Sequence, residues 1–320
     1  MPQTALVAIG GGVLSALATV AMLGGSSLAV GFIYLAPLPL YLVGFWQGQI
    51  AATIAILSGL VLVTLLGGEL LAGMFALMCA LPVWLVVRQV SLSLSGGINN
   101  PAGGALAFLG LVGAGAIGLA AVFLSGSGID MMSNETGDVM ASSGFRDTIV
   151  GILNQVFTVV IPELQGEHRV LMVERLAPMF PGTMVASWML MTVFNAAIAQ
   201  GMLAKSGHSL RPSPVYADMD LPLWLSWPLV GAAAIAVSGS MFGMEDVSYI
   251  GRNLVMAVAV AYFFQGLAVV HSLARLVPFP GTVLAGLYVV LLFSGWAAMV
   301  VAGIGIIEQW IGLRDRFLRN

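Results

Sequence analysis

YFFQGLAVVHSLARL runs from Tyr262 to Leu276. Most of this stretch would dissolve in oil, yet Gln265 and His271 sit inside it and Arg275 follows the histidine by one helical turn. An amide in hydrocarbon must find a partner or face a cavity. If lipid surrounds the segment, its polar residues mark either helix–helix bonds or a site; if water does, they mean little.

The composition decides for lipid. Of 320 residues, 59% are hydrophobic and only 8% charged, with a mean hydropathy of +1.02. A soluble domain carries about 25% charged residues because its surface must face water. Forty glycines suit close packing of membrane helices. The net charge of −3 and the single lysine, Lys205, give no basic surface for nucleic acid. The lone Cys79 lies in an apolar run and reads as a small packed hydrophobe, since one cysteine makes neither an internal disulfide nor a cysteine metal site. No basic residue precedes the first apolar run, which argues for a retained first helix rather than a cleaved leader.

A crossing helix needs about 20 apolar residues. Runs of that kind fall at 4–24, 28–46, 48–67, 70–88, 103–125, 183–204, 223–242 and 250–276. A further run, 281–313, is too long for one crossing and is interrupted at Ser294-Gly295. The expected fold is therefore an all-α polytopic membrane bundle of about eight to ten membrane helices. Residues 1–124 and 182–320 hold the membrane helices, and an acidic extracytoplasmic region at 125–181 divides them, all within one integrated membrane domain. Arg88, Lys205 and Arg275 end alternate runs, so by the excess of basic residues on the cytoplasmic side both termini are expected inside. Folding 281–313 as a hairpin keeps Arg314, Arg316 and Arg319 inside too.

The acidic region holds Asp130, Glu135, Asp138, Asp147, Glu163, Glu167 and Glu174 against Arg146, Arg169 and Arg175. Within it, DTIVGILNQVFTVVIP (147–162) is apolar on much of its circumference. It reads as an amphipathic helix on the outer interface or as a cap on the bundle. FPGT occurs at Phe180–Thr183 and again at Phe279–Thr282, each time opening an apolar run with threonine as candidate N-cap.

Three features are candidates for function. Tyr262, Gln265 and Ser272 share one broad helical face, and His271 and Arg275 another. In the sixth run, Asn195 lies near mid-depth with Gln200 below it; Asn195 and Gln265 either bond across a helix pair or line a polar pocket. Such interhelical bonds average only about 0.6 kcal/mol. Pro37 and Pro39 remove two backbone donors from one apolar run. The break exposes backbone either to a solute or to neighbouring helices. Small residues repeat at Ala8, Gly12 and Ala16, and at Gly110, Ala114 and Gly118, for close approach of a neighbouring helix or a partner subunit. No phosphate loop, HExxH or GxSxG motif occurs, so neither an enzyme nor a cofactor is expected. His168 and His208 lie in loops, and no metal cluster is visible.

The segments APLPLYLVGFWQG, NAAIAQGMLAKSG, ADMDLPLWLSWP, YFFQGLAVVHSLARL and GIIEQWIGLRDRF occur in this order. In that order they resemble the YybS-like family of bacterial multi-pass membrane proteins, a domain of unknown function. The most specific match is Tyr262, Phe263, Gln265, Gly266, Leu267, Ala268, Val269 and His271. That family is distantly similar to the substrate-binding subunits of energy-coupling-factor transporters. The resemblance implies a small-solute binder with a coupling subunit, docked on a face of which Ala8, Gly12 and Ala16 are a loose version. The expected function is thus small-solute binding or transport, with a pocket near Pro37, Pro39, Asn195, Gln200, Tyr262, Gln265 and His271. A non-catalytic membrane scaffold or assembly factor is the alternative.

Overall fold

The computed structural model describes residues 2–24, 27–94, 96, 100–126, 144–210 and 215–318. Asp130, Glu135, Asp138 and Arg319, part of the charge pattern above, lie outside the described residues. The described chain is helical and contains no strand. In order the helices are α1 (Pro2–Val20), α2 (Ser27–Leu35), α3 (Leu38–Gln47), α4 (Gln49–Phe75), α5 (Leu81–Leu94), α6 (Pro101–Gly126) and α7 (Phe145–Val160). Then follow α8 (Gly166–Leu176), α9 (Phe180–Ser206), α10 (Ser226–Met241), α11 (Glu245–Ala274), α12 (Pro280–Phe293), α13 (Gly295–Ile311) and α14 (Leu313–Leu318).

Six of these helical stretches are long and apolar enough to cross a membrane: Gln3–Gly24, Gln49–Leu94, Pro101–Leu124, Gly166–Ser206, Leu223–Met241 and Glu245–Ala274. The second covers two of the apolar runs; Gly68, at φ 78°, interrupts it between them. Outward faces are oily, with Leu65, Leu70 and Phe293 respectively 75%, 82% and 83% exposed. Residues of this kind on the outside are stable against hydrocarbon, not water. The run 281–313 divides at Ser294, whose extended φ −138°, ψ 103° separates α12 from α13.

The described chain forms two compact units. One comprises Met1–Leu109, Trp188–Pro222 and Phe263–Asn320, the other Gly110–Ser187 and Leu223–Tyr262. These do not coincide with the consecutive stretches 1–124, 125–181 and 182–320, because compactness groups helices by contact and hydropathy divides them by sequence.

In the first unit α1 packs on α4. Gly12 and Gly59 make the crossing close: a Cβ on Gly12 would strike the Ala55 carbonyl and the Ser58 hydroxyl. Ala8 and Ala16, on the same face of α1, are fully buried. Tyr41, Phe75 and Cys79 belong to the apolar cluster there. The chain breaks at Ala36 and Pro37, between α2 and α3, one residue before Leu38-Pro39. The carbonyls at the break are taken up by side chains of other helices. Ser15 Oγ donates to Ala36 O at 2.6 Å, and Asn195 Nδ2 donates to Tyr34 O at 2.8 Å. Pro82 likewise withholds a backbone N–H one turn after Met78. The Met78 carbonyl, within a π-helical turn over Ala76–Ala80, accepts from Trp188 Nε1 at 3.2 Å.

In the second unit α7 lays a stripe of Phe145, Ile149 and Leu153 inward, at the i, i+4, i+8 spacing of one helical face. Phe145 meets Tyr249 of α11 with ring centroids 5.8 Å apart. Asp246 Oδ1 accepts from the Arg146 N–H at 3.2 Å, placing a carboxylate at the N-terminus of α7 where the helix dipole favours it. Of the segment 147–162, residues up to Val160 are helical; α7 packs on α8 and on the 3-10 turn Ala177–Met179, meets α11 at its first residues, and leaves Val159 and Val160 at its far end exposed. Tyr249 and Asn253 pin the start of α9. Tyr249 Oη donates to Ala177 O at 2.7 Å, Asn253 Nδ2 to Pro178 O at 3.1 Å, and Gly182 N–H to Asn253 Oδ1 at 2.9 Å.

Neither FPGT threonine is an N-cap. Thr183 lies within α9 and its hydroxyl bonds back to Phe180 O at 2.8 Å; Thr282 lies within α12. The two copies also differ at their first residue. Phe180 is right-handed and continues a 3-10 turn, whereas Phe279 has φ 64°, a left-handed conformation.

Candidate functional site

Small residues at facing positions open a cavity of about 630 Å³ within the first unit. Ala102 and Ala105 of α6, Ala196 and Ala197 of α9, and Ala268 of α11 line it. A larger side chain at any of these positions would occupy space that alanine leaves empty. Thr192, Val193, Ala196, Ala197 and Gln200 follow one another along one face of α9. Phe264, Leu267, Ala268 and His271 do the same along α11, and Arg275, in the turn just past its end, extends the lined strip to about 16 Å. Leu106 and Leu109 are buried on its inner wall, and the exposed Tyr216, Arg275 and Tyr288 mark its open side.

The polar groups are few and placed. His271 Nδ1 lies 2.8 Å from Leu267 O. A carbonyl only accepts, so Nδ1 carries the proton and Nε2 is left to accept from Tyr288 Oη at 3.3 Å. Gln200 Nε2 donates to Ser209 Oγ at 2.9 Å. Thr192 is 1% exposed, and its hydroxyl has no partner among the described residues. Burial pushes the Tyr216 phenol above its ordinary pKa, keeping it neutral. Among the described lining residues Arg275 is the one permanent charge and none is a carboxylate.

One wall is the loop of Val215, Tyr216, Ala217 and Met219. Its anchor is Arg314. Nε of Arg314 donates to Glu308 Oε1 at 2.7 Å, Nη1 to Ala217 O at 2.9 Å, and Nη2 to Asp220 Oδ1. Gly312, at φ 64°, turns the chain so that Arg314 can return to Glu308. Ala217 O also accepts from Ser272 Oγ at 2.7 Å, and Asn100 Nδ2 donates to Asp218 O at 3.4 Å. Gly103 lets the Asp220 carbonyl lie directly against α6, where a Cβ would collide with it. The Arg314 guanidinium loses solvation by partial burial but, held by Glu308 and Asp220, has its pKa raised rather than lowered.

Of the residues singled out from sequence, Gln200 and His271 line the cavity. Pro37, Pro39 and Asn195 come together instead at the break between α2 and α3. Asn195 does not bond Gln265: its Nδ2 goes to Tyr34 O and Met191 O, and Asn195 Oδ1 and Gln265 Oε1 are both buried without a partner among the described residues. Gln265 is absent from the lining although Phe264 and Leu267 on either side belong to it. Tyr262 lies in the second unit, its hydroxyl 3.4 Å from Ser226 Oγ. Gly110 packs against Ala257 and Ala261 of α11, while Gly118 has open space beside it and Ala114 is half-buried. Thr192, Tyr288, Glu308 and Arg314 were not singled out as site residues. A threonine or tyrosine in an apolar run carries no signal of its own, and Arg314 read only as a marker of sidedness. Among the described residues no three of His, Cys, Asp and Glu are grouped to hold a metal ion.

Residues 12–308 match the family described as predicted membrane protein (DUF2232). No curated protein and no solved structure matches the chain.

Proposed function

The chain belongs to the DUF2232 family of predicted membrane proteins, and from that premise we propose that it binds a small solute in the cavity between α6, α9, α11 and α12. The observation that carries this reading is the cavity itself. At about 630 Å³ it falls within the range of ligand sites, and its apolar walls bear a few fixed polar groups, as such sites do. A non-catalytic binding or transport role in a bacterial inner membrane, with both termini cytoplasmic, is part of the same proposal. So is the likeness to energy-coupling-factor substrate-binding subunits, which would supply a coupling partner.

Mass spectrometry of small molecules retained through mild-detergent purification tests the proposal. Ala268→Phe fills the cavity, so the retained species should disappear while the thermal transition persists. Identical retained species in wild type and variant would overturn it. A second reading, a membrane scaffold, draws on the exposed apolar end of α7, where Val156, Val159 and Val160 face outward. Co-purification of a protein lost on Val159→Asp would favour it.

A further inference from the structure

We infer that the cavity takes an amphiphilic monoanion: a negative head at Arg275 and an apolar body that carries one hydrogen-bonding oxygen opposite Thr192. The inference rests on the binding role proposed above and assigns its chemistry. Charge comes first. Among the described lining residues Arg275 is cationic and none is anionic, so their charge is balanced by a single negative charge on the ligand. Arg275 has no carboxylate partner among the described residues; the ion pairs there use Arg146 and Arg314. It is exposed and lies just past the end of α11 at Ala274, where a charged side chain reaches the membrane–water interface and a head group can keep some water. Tyr288 and His271 already satisfy one another and leave that side polar but uncharged.

The body follows from the walls. From Arg275 the lined face of α11 runs inward past His271, Ala268 and Leu267 to Phe264, long enough for an extended hydrocarbon chain. The inner wall would be indifferent to a bare alkyl chain except at Thr192. A buried hydroxyl without a partner is costly, and an oxygen on the ligand removes that cost. Arginine at the mouth and threonine within thus select a chain with a polar group at one end and another along its length.

The test uses the full-length protein in nanodiscs of zwitterionic lipid, with calorimetric titration of four chains of equal length. These are tetradecanoate, tetradecanol, tetradecylammonium and a keto-substituted tetradecanoate. Tetradecanoate should bind about tenfold or more tighter than the alcohol, the ammonium should be rejected, and Arg275→Gln should erase the preference. The keto acid should exceed the plain acid, and the isosteric Thr192→Val should remove that gain alone. Equal affinity for acid and alcohol, or an Arg275→Gln variant that keeps the preference, overturns the anion. A keto acid no better than the plain acid, or a gain that survives Thr192→Val, overturns the oxygen. If no chain binds, and Ala268→Phe leaves the retained small molecules unchanged, the binding role itself fails. A carboxylate from solution and an anionic bilayer lipid share this head chemistry. Repeating the titration in anionic nanodiscs separates them, because a bilayer ligand would compete the soluble acid away.

Discussion

The Asn195 side-chain amide reaches 2.8 Å from the Tyr34 carbonyl, 161 residues earlier in the chain. This bond repairs a helix interrupted by proline. Without it, a carbonyl at the Ala36–Pro37 break would face apolar surroundings with nothing to accept from. Asn195→Leu should therefore cost about 1 kcal/mol, more than the average polar bond between membrane helices, because the acceptor it strands is fixed by the break. Ser15→Ala strands Ala36 O at the same break. Since both caps serve one structure, a double-mutant cycle followed by thermal unfolding in detergent should show non-additivity of about 0.5 kcal/mol or more. Strictly additive losses would mean that the two caps act independently.

Trp188 and Met78 offer a rescue experiment. Trp188→Phe removes the indole donor from Met78 O and should lower stability by about 1 kcal/mol. Pro82→Ala restores a backbone N–H positioned to reach that same carbonyl. In the Pro82→Ala background the loss on Trp188→Phe should shrink to a small packing term. Thermal midpoints of the four proteins check this, and an unchanged loss would refute the role given to Pro82.

Two glycines that look alike in sequence should respond oppositely to alanine. A Cβ on Gly266 would collide with the Val301 carbonyl of α13, whereas Gly118 has open space. Gly266→Ala should destabilise by about 1–3 kcal/mol through overpacking. Gly118→Ala should be neutral or stabilise by up to about 1 kcal/mol, since alanine is the better helix former. Denaturation of both variants in the same detergent is the measurement.

Arg314 anchors the loop wall of the cavity. Its side chain and that of Glu308 are 11% and 6% exposed, so Arg314→Met strands a buried carboxylate. The expected loss is about 3 kcal/mol, with faster proteolytic cutting between Val215 and Pro222. Asp220→Asn, on the exposed partner, should cost well under 1 kcal/mol, because water screens that pair.

The membrane character of the chain, the break at Pro37, the junction between the runs 48–67 and 70–88, and the division at Ser294 were all legible in the residues. Each is local: hydropathy over a helix length, a missing N–H, or a glycine free to adopt positive φ belongs to neighbours in the chain. Candidate polar residues were legible as well, since any amide or imidazole in hydrocarbon needs an explanation. Their partners were not. Gln265 and Asn195 invited pairing by depth, yet Asn195 turned to the Tyr34 carbonyl beside a break 161 residues earlier in the chain.

What the sequence by itself determined is that this chain lives in lipid as a set of interrupted apolar helices, because solvent preference and backbone continuity are additive along the chain. Only the tertiary structure decided where the helices leave a hollow and which charge guards it. Alanines on α6, α9 and α11 make a cavity only when those helices face one another, and among the described residues Glu308 and Asp220 pair with Arg314, while Arg275 stands on the cavity lining without an ion pair. Such facts depend on which distant surfaces meet, a property of packing that no window of neighbouring residues contains.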